Sequence, residues 1–221
     1  MTCKKTVLYD AHLALDAKMT AFGGFLMPVH YQGIIAEHQA TRRRAALFDT
    51  CHMGEFRIEG GRAVADLEYL LSCSVADLSV GQCRYGLLCN ERGGVVDDQI
   101  LYRLGENSFL MVVNAGTQDG DLDWVSAHLS PETRIENLSV DTFKVDLQGP
   151  GAPQILQRLV QEPLTGMAFF RFRHVRYGDS RILVSRTGYT GEIGFEVYGE
   201  VKAGRRFWDD CLSEGAEPAG L

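Results

Sequence analysis

The sequence predicts an α+β fold made of two intertwined antiparallel-sheet and helix halves, each a copy of one motif. Three observations carry that expectation. The run Val145-Asp146-Leu147-Gln148-Gly149 leads into a helical pattern at 152–159, as 56–60 leads into 63–70, at a constant offset of 89. At that offset Gly60 falls on Gly149, Ala63 on Ala152, Leu67 on Leu156 and Leu70 on Leu159. No low-complexity linker separates the copies, so the halves are expected to share a sheet system. They span roughly 50–140 and 141–213, with 1–49 packing across them.

The elements follow in order from spacing and turn chemistry. Residues 19–28 are apolar and rich in turn formers, which reads as a packed loop. A helix is expected over 33–46, with Ile34, Ile35, His38 and Ala45 on one face and Glu37, Arg42, Arg43 and Arg44 on the other. The arginines read as a solvated face. A strand at 55–59 precedes a helix at 62–71 whose stripe is Ala63, Leu67 and Leu70. Residues 85–89 and 95–103 read as strands. Residues 108–113 complete a hairpin turning at Gly105-Glu106-Asn107, and a helix covers 119–129. A last helix near 203–212 is followed by a tail, 213–221, that reads as an inter-element loop.

Composition narrows the function classes. A chain of 221 residues with net charge −7 has no general attraction for polyphosphate, which argues against nucleic acid. No apolar run approaches the roughly 20 residues that span a bilayer. The opening Met1-Thr2-Cys3-Lys4-Lys5 is too poor in apolar residues for a signal peptide. The six cysteines form no CxxC pair and read as reduced thiols of a cytoplasmic protein. The histidines show no metal-ligand spacing, so no metal is expected. Cys51-His52 are sequence neighbours, which rarely face each other as a catalytic dyad.

Two stretches carry candidate chemistry. In Gly93-Gly94-Val95-Val96-Asp97-Asp98 a glycine turn precedes two adjacent carboxylates on an otherwise apolar strand. Neighbours on a strand point to opposite faces, so one aspartate can face water and the other a cavity. A carboxylate facing a cavity is costly unless paired or solvated by a ligand. The plainer alternative is an acidic pair capping loop amides. In the second stretch, from Arg186 to Tyr198, three glycines permit close backbone approach to a flat ligand and Tyr189 offers an aromatic face. Glu196 follows on a strand, where an inward carboxylate accepts two parallel hydrogen bonds from a donor pair such as a pterin or guanine edge. A glycine-rich hairpin with an exposed glutamate is the alternative.

These stretches resemble the glycine cleavage system aminomethyltransferase (T-protein) family. So do Leu8-Tyr9-Asp10-Ala11-His12, the run 21–29, Leu47-Phe48-Asp49-Thr50-Cys51-His52-Met53, Asn114-Ala115-Gly116 and Leu147-Gln148-Gly149-Pro150, all in the family's order. The resemblance implies a duplicated folate-binding fold and a tetrahydrofolate co-substrate. The family takes the aminomethyl group from the lipoyl arm of the glycine cleavage H-protein. It passes the methylene to tetrahydrofolate, releases ammonia and leaves dihydrolipoyl protein. By resemblance, Asp98 sits beside the reacting folate nitrogens and stabilises the cationic character that develops. Glu196 reads the pterin donors; Tyr85, Asn114 and Tyr189 line the same pocket; Phe170 stacks; Asp97 is structural.

The family continues past Ala219-Gly220-Leu221 into an arginine-bearing segment and a C-terminal β-barrel, both absent from this sequence. The expectation is therefore weakened folate binding and doubtful turnover by these residues alone. Two other readings use the same motifs. One is a related folate-dependent demethylase, or the folate domain of a sarcosine or dimethylglycine oxidising enzyme. The other is a non-catalytic folate-binding protein of iron–sulfur maintenance, whose Lys-Gly-Cys-Tyr motif is Arg186-Thr187-Gly188-Tyr189 here.

Overall fold

The computed structural model describes residues 3–221. Met1 and Thr2, which open the segment read above against a leader, lie outside them. In chain order the elements are β1 (Lys4–Lys5), α1 (Tyr9–Ala14), β2 (Lys18–Phe22), β3 (Phe25–His30), α2 (Ile34–Arg43) and β4 (Ala46–Asp49). Next come β5 (Gly54–Gly60), α3 (Ala63–Leu70), β6 (Cys83–Cys89), β7 (Val95–Gly105), β8 (Ser108–Val113), α4 (Gln118–His128) and β9 (Thr133–Asn137). The chain continues through β10 (Thr142–Gln148), α5 (Ala152–Leu159), β11 (Phe172–Tyr177), β12 (Ser180–Ser185), β13 (Gly194–Glu200), α6 (Val201–Ser213) and β14 (Glu217–Ala219). This is a mixed α/β architecture with three open sheets among the described residues. Among the described residues no helix is long and apolar enough to cross a membrane.

The chain divides into two units, Met53–Val140 and a discontinuous one of Met1–His52 with Asp141–Leu221. The continuous unit is a five-stranded antiparallel sheet in the order β6-β7-β8-β5-β9. Its sequence alternates as a strand requires, so Phe56, Ile58, Leu101, Phe109, Met111 and Val113 point to one face. There they form a core with Ala63, Leu67 and Leu70 of α3 and Val125 of α4. The helical stripe expected at 62–71 is thus the buried one.

The discontinuous unit is built on a six-stranded sheet, β11-β12-β13-β10-β4-β14. Phe143, Val145 and Leu147 of β10 and Phe195 and Val197 of β13 form its core with Ile155 and Leu156 of α5 and Phe207 and Trp208 of α6. A buried network ties α1 to β4: His12 Nε2 lies 2.8 Å from Asp49, and Thr6 donates to the same carboxylate at 2.6 Å. Tyr31 Oη is 2.8 Å from His12 Nδ1.

Three local expectations change. Residues 18–30 are a hairpin, not a packed loop: β2 pairs antiparallel with β3 across Gly23-Gly24. Both glycines have positive φ (54° and 84°), the backbone that tight two-residue hairpins need. On α2 and just beyond it the faces change in part: Glu37, Ala40 and Thr41 are buried and Ile34, Ile35 and His38 exposed, whereas Ala45 is buried and Arg42, Arg43 and Arg44 exposed as expected. Glu37 goes inside because its carboxylate accepts the amides of Tyr31, Gln32 and Gly33 at 2.6–3.0 Å and that of Gly220 at 2.9 Å. Finally, the tail read as a loop contains β14, which pairs in parallel with β4. Arg44 anchors it through a bidentate pair with Glu217.

Gly149 has φ +118°, and a Cβ there would lie 2.6 Å from the Thr41 carbonyl and 2.7 Å from that of Arg44. Both strain and overlap penalise any side chain. Gly149→Ala is therefore expected to cost roughly 2 kcal/mol, read as a lower urea midpoint with an unchanged m value.

Candidate functional site

In the continuous unit the turn Asn90–Gly94 sets the entry to β7. Asn90 accepts the amides of Arg92 (3.0 Å) and Gly94 (2.9 Å) through its side chain, and Gly93 takes φ +74°. The register of β6 on β7 sets Leu87 opposite Asp98 and Tyr85 opposite Ile100, so Tyr85 and Asp98 share a face. Asn114, just past β8, closes on both aspartates. Its Nδ2 donates to Asp98 Oδ1 at 2.7 Å and to Asp97 Oδ1 at 2.9 Å. The two carboxylates are therefore drawn to one amide rather than split between water and a cavity. Asp97 also accepts the Thr117 hydroxyl at 2.7 Å. Burial opposes its ionisation, but hydrogen bonds from Thr117, Asn114 and Asp121 outweigh that and hold its pKa below the ordinary value. Tyr85 is 54% exposed.

In the discontinuous unit, Glu196 of β13 is paired with Asp146 of β10 in the ladder. It is not a lone carboxylate. Lys144, itself 1% exposed, places its ammonium 3.0 Å from Glu196 and 2.8 Å from Asp146. Thr187 donates to Glu196, and Thr50 donates to Asp146 at 3.0 Å. Burial alone would depress the Lys144 pKa; Asp146 and Glu196 together outweigh it and raise it. The Asp146 pKa is raised, first by burial and then by the Glu196 charge, against the pull of Lys144. One ammonium thus faces two buried carboxylates. Such a cluster favours added N–H donors or a proton.

The glycines of 186–198 serve the protein itself. A Cβ on Gly188 or Gly194 would strike the side chain of Gln148, at 2.2 and 2.3 Å. That amide, fully buried, donates to the Thr187 carbonyl at 3.1 Å and accepts from Thr190 at 3.0 Å. Close approach is thus made by Gln148, not reserved for a ligand. Arg42, expected to be a solvated residue, donates to the Thr190 carbonyl at 2.6 Å and pairs with Glu192 at 3.0 Å, holding the loop tip to α2. Tyr189 beside it is fully exposed. Phe170 has φ +58°, an uncommon backbone for an aromatic residue, and packs edge-on against Phe169 with centroids 4.6 Å apart.

Cys51 and His52 are not a dyad: the thiol donates to the Lys144 carbonyl at 3.1 Å. Burial, with Lys144 nearby, pushes the His52 pKa down to about 4. The reading of the sequence missed Lys144, Asp146, Gln148 and Asp121. The first three lie on alternate positions of one strand, and that period-2 pattern was their only signal.

A mixed α/β protein with one aspartate site beside an asparagine and one buried ammonium–dicarboxylate cluster is the class these features define. The chain belongs to the GCVT N-terminal domain family, whose model matches residues 8–221. It is 44% identical over 222 residues to an aminomethyltransferase of Desulforamulus reducens and 41% identical over 223 residues to one of Geobacillus kaustophilus. Each match covers 99% of this chain and 61% of the relative, so the chain spans about three fifths of their length. Glycine cleavage system aminomethyltransferase T from Bartonella henselae superposes with a TM-score of 0.91 at 36% identity, covering 99% of this chain and 60% of that one. A chain of heterotetrameric sarcosine oxidase from Corynebacterium sp. U-96 shares the fold (TM-score 0.66, 16% identity, 96% and 94% covered).

Proposed function

We propose that this chain is the folate-binding part of a glycine cleavage aminomethyltransferase, with tetrahydrofolate as co-substrate and the lipoylated H-protein as partner. The observation that carries the reading is the likeness to aminomethyltransferases along 99% of the chain. The geometry supports it at both carboxylates. The Asp98 carboxylate is aimed by a hydrogen bond from Asn114, and no lysine, arginine or histidine pairs with it among the described residues. It takes the role of accepting the proton of the attacking folate nitrogen and stabilising the iminium-like charge on the methylene as ammonia departs and the carbon passes from the lipoyl sulfur to folate. Glu196 reads the pterin: its carboxylate accepts the amino group and ring N–H as a parallel donor pair. Tyr85 and Asn114 line the reacting end, and Phe170 and Tyr189 supply aromatic faces for the ligand.

The duplication is part of the same proposal, supported by strand order. β6-β7-β8-β5 and β11-β12-β13-β10 follow the same order with the same antiparallel pairing. Gly60 and Gly149 both have positive φ, and Leu67 and Leu156 are both fully buried. On this correspondence Asp98 lies on the second strand of its set and Glu196 on the third, so the two are not counterparts.

The test is a reconstituted assay in which an aminomethylated lipoyl carrier is incubated with the protein and ammonia is measured. Tetrahydrofolate is expected to accelerate release, and Asp98→Asn to lower that acceleration by about 100-fold or more. Ammonia release indifferent to tetrahydrofolate, with the chain joined to its family's C-terminal part, refutes the assignment.

A further inference from the structure

We propose that Asp121 and Asp97 are a positioning pair for Asp98: their carboxyls share one proton and, through Asn114, fix the orientation of the Asp98 side chain. The proposal rests on the folate reading for what Asp98 then does. It begins with a count of charges. Asn114 Nδ2 holds one oxygen each of Asp97 and Asp98, at 2.9 and 2.7 Å. Asp121, from the first turns of α4 and 1% exposed, faces Asp97 on the other side, near enough for each carboxyl to shift the pKa of the other. Three carboxyls are thus linked in a row, and no lysine, arginine or histidine pairs with Asp97 or Asp121 among the described residues.

The surroundings supply no cation either. α4 adds the acids Asp119 and Asp123, and its His128 is engaged with Glu91 and the Trp124 carbonyl. α3, packed beside α4, adds Asp66, held by Ser130 and Thr133, and Glu68, which accepts the amides of Val75 and Ala76. β9 adds Glu136 and Arg134, the latter paired with Glu59.

Adjacent carboxyls without a cation cannot all ionise, and the proton goes to the most buried. That is Asp121, whose pKa is pushed up to about 7, first by burial and then by the hydrogen bond and charge of Asp97. One of its oxygens, Oδ2, is buried with no hydrogen-bond donor among the described residues. With the proton on Asp121, Asp97 remains an acceptor for Thr117 and Asn114, and the anchored amide turns its second N–H on Asp98. Loss of that proton sets two carboxylates against each other and releases Asn114. The pair is therefore assembled below about pH 7 and dismantled above it, and Asp121→Asn retains a donor toward Asp97 without the titration.

The experiment has two arms on the 221-residue chain. Carbon-13 NMR of labelled aspartate carboxyls is expected to find one group titrating near pH 7, absent in Asp121→Asn. Titration of every aspartate below about pH 5 overturns the shared proton. Calorimetry with tetrahydrofolate is expected to find wild-type affinity falling about tenfold between about pH 6 and 8.5, while Asp121→Asn stays near the pH 6 value. Asp121→Leu, which offers no donor, is expected to bind about tenfold more weakly throughout. A pH fall that persists unchanged in Asp121→Asn overturns the positioning role. No binding by the wild type at any pH overturns the folate reading and the positioning role together, while the NMR arm still decides the shared proton.

Discussion

Lys144→Met is expected to remove about 3–5 kcal/mol of folding stability. Methionine matches the length of the lysine stem, so packing is largely kept and the loss is electrostatic. The substitution strands Asp146 and Glu196, whose side chains are 9% and 11% exposed, with no ammonium between them. The sign of the pH dependence follows from Asp146. Its folded pKa is already above the unfolded value, so it favours the fold below its unfolded pKa and loses that contribution as pH rises through the folded one. Without Lys144 the folded value climbs further. The variant should therefore be most impaired at alkaline pH and partly recover as pH falls toward about 5. Urea denaturation at several pH values measures this. Adding Asp146→Asn, which removes one of the two carboxylates, should restore part of the loss. A cost below about 1 kcal/mol, or one independent of pH, contradicts the cluster as described.

The second large effect is on binding. Glu196→Gln is expected to weaken tetrahydrofolate binding by about 100-fold, because a charge-assisted pair of hydrogen bonds becomes at best one neutral bond beside a repelled donor. Stability should hardly change, since Lys144 keeps Asp146 at 2.8 Å and the cluster becomes neutral. This separation of affinity from stability distinguishes a recognition residue from a structural one. Lys144 is the opposite case. If Glu196→Gln unfolds the chain as Lys144→Met does, the glutamate is structural and its recognition role falls.

The parts of this account that were legible in the sequence share a physical signature. The β6-β7-β8 meander announced itself through glycine turns and β-rich runs, and Asp98 through an acid on a strand with few other charges. Asn114 became visible only through the family resemblance. The buried cluster was hidden because Phe143-Lys144-Val145-Asp146-Leu147-Gln148 alternates as a strand with one wet face does, whereas all six residues are buried. Nothing local distinguishes those cases; Glu196, the partner that completes the cluster around Lys144, comes from β13, more than fifty residues away. The places of Ile34, Ile35 and Glu37 on α2 were misread for a similar reason. Hydrophobicity placed Ile34 and Ile35 inside, but four backbone amides drew Glu37 in instead. The glycines at 188 and 194 were seen as points of close approach and assigned the wrong visitor, since Gln148 lies 40 and 46 positions earlier.

The central claim is that this chain binds a reduced folate and that its affinity depends on Asp98 and on Glu196. Isothermal titration of the 221-residue chain with tetrahydrofolate, repeated for Asp98→Asn and Glu196→Gln, tests it most directly. Saturable single-site binding in the wild type, weakened about 100-fold in Glu196→Gln and by about tenfold or more in Asp98→Asn, is the result expected. No binding by a folded wild-type chain, or equal affinity in all three proteins, contradicts the account.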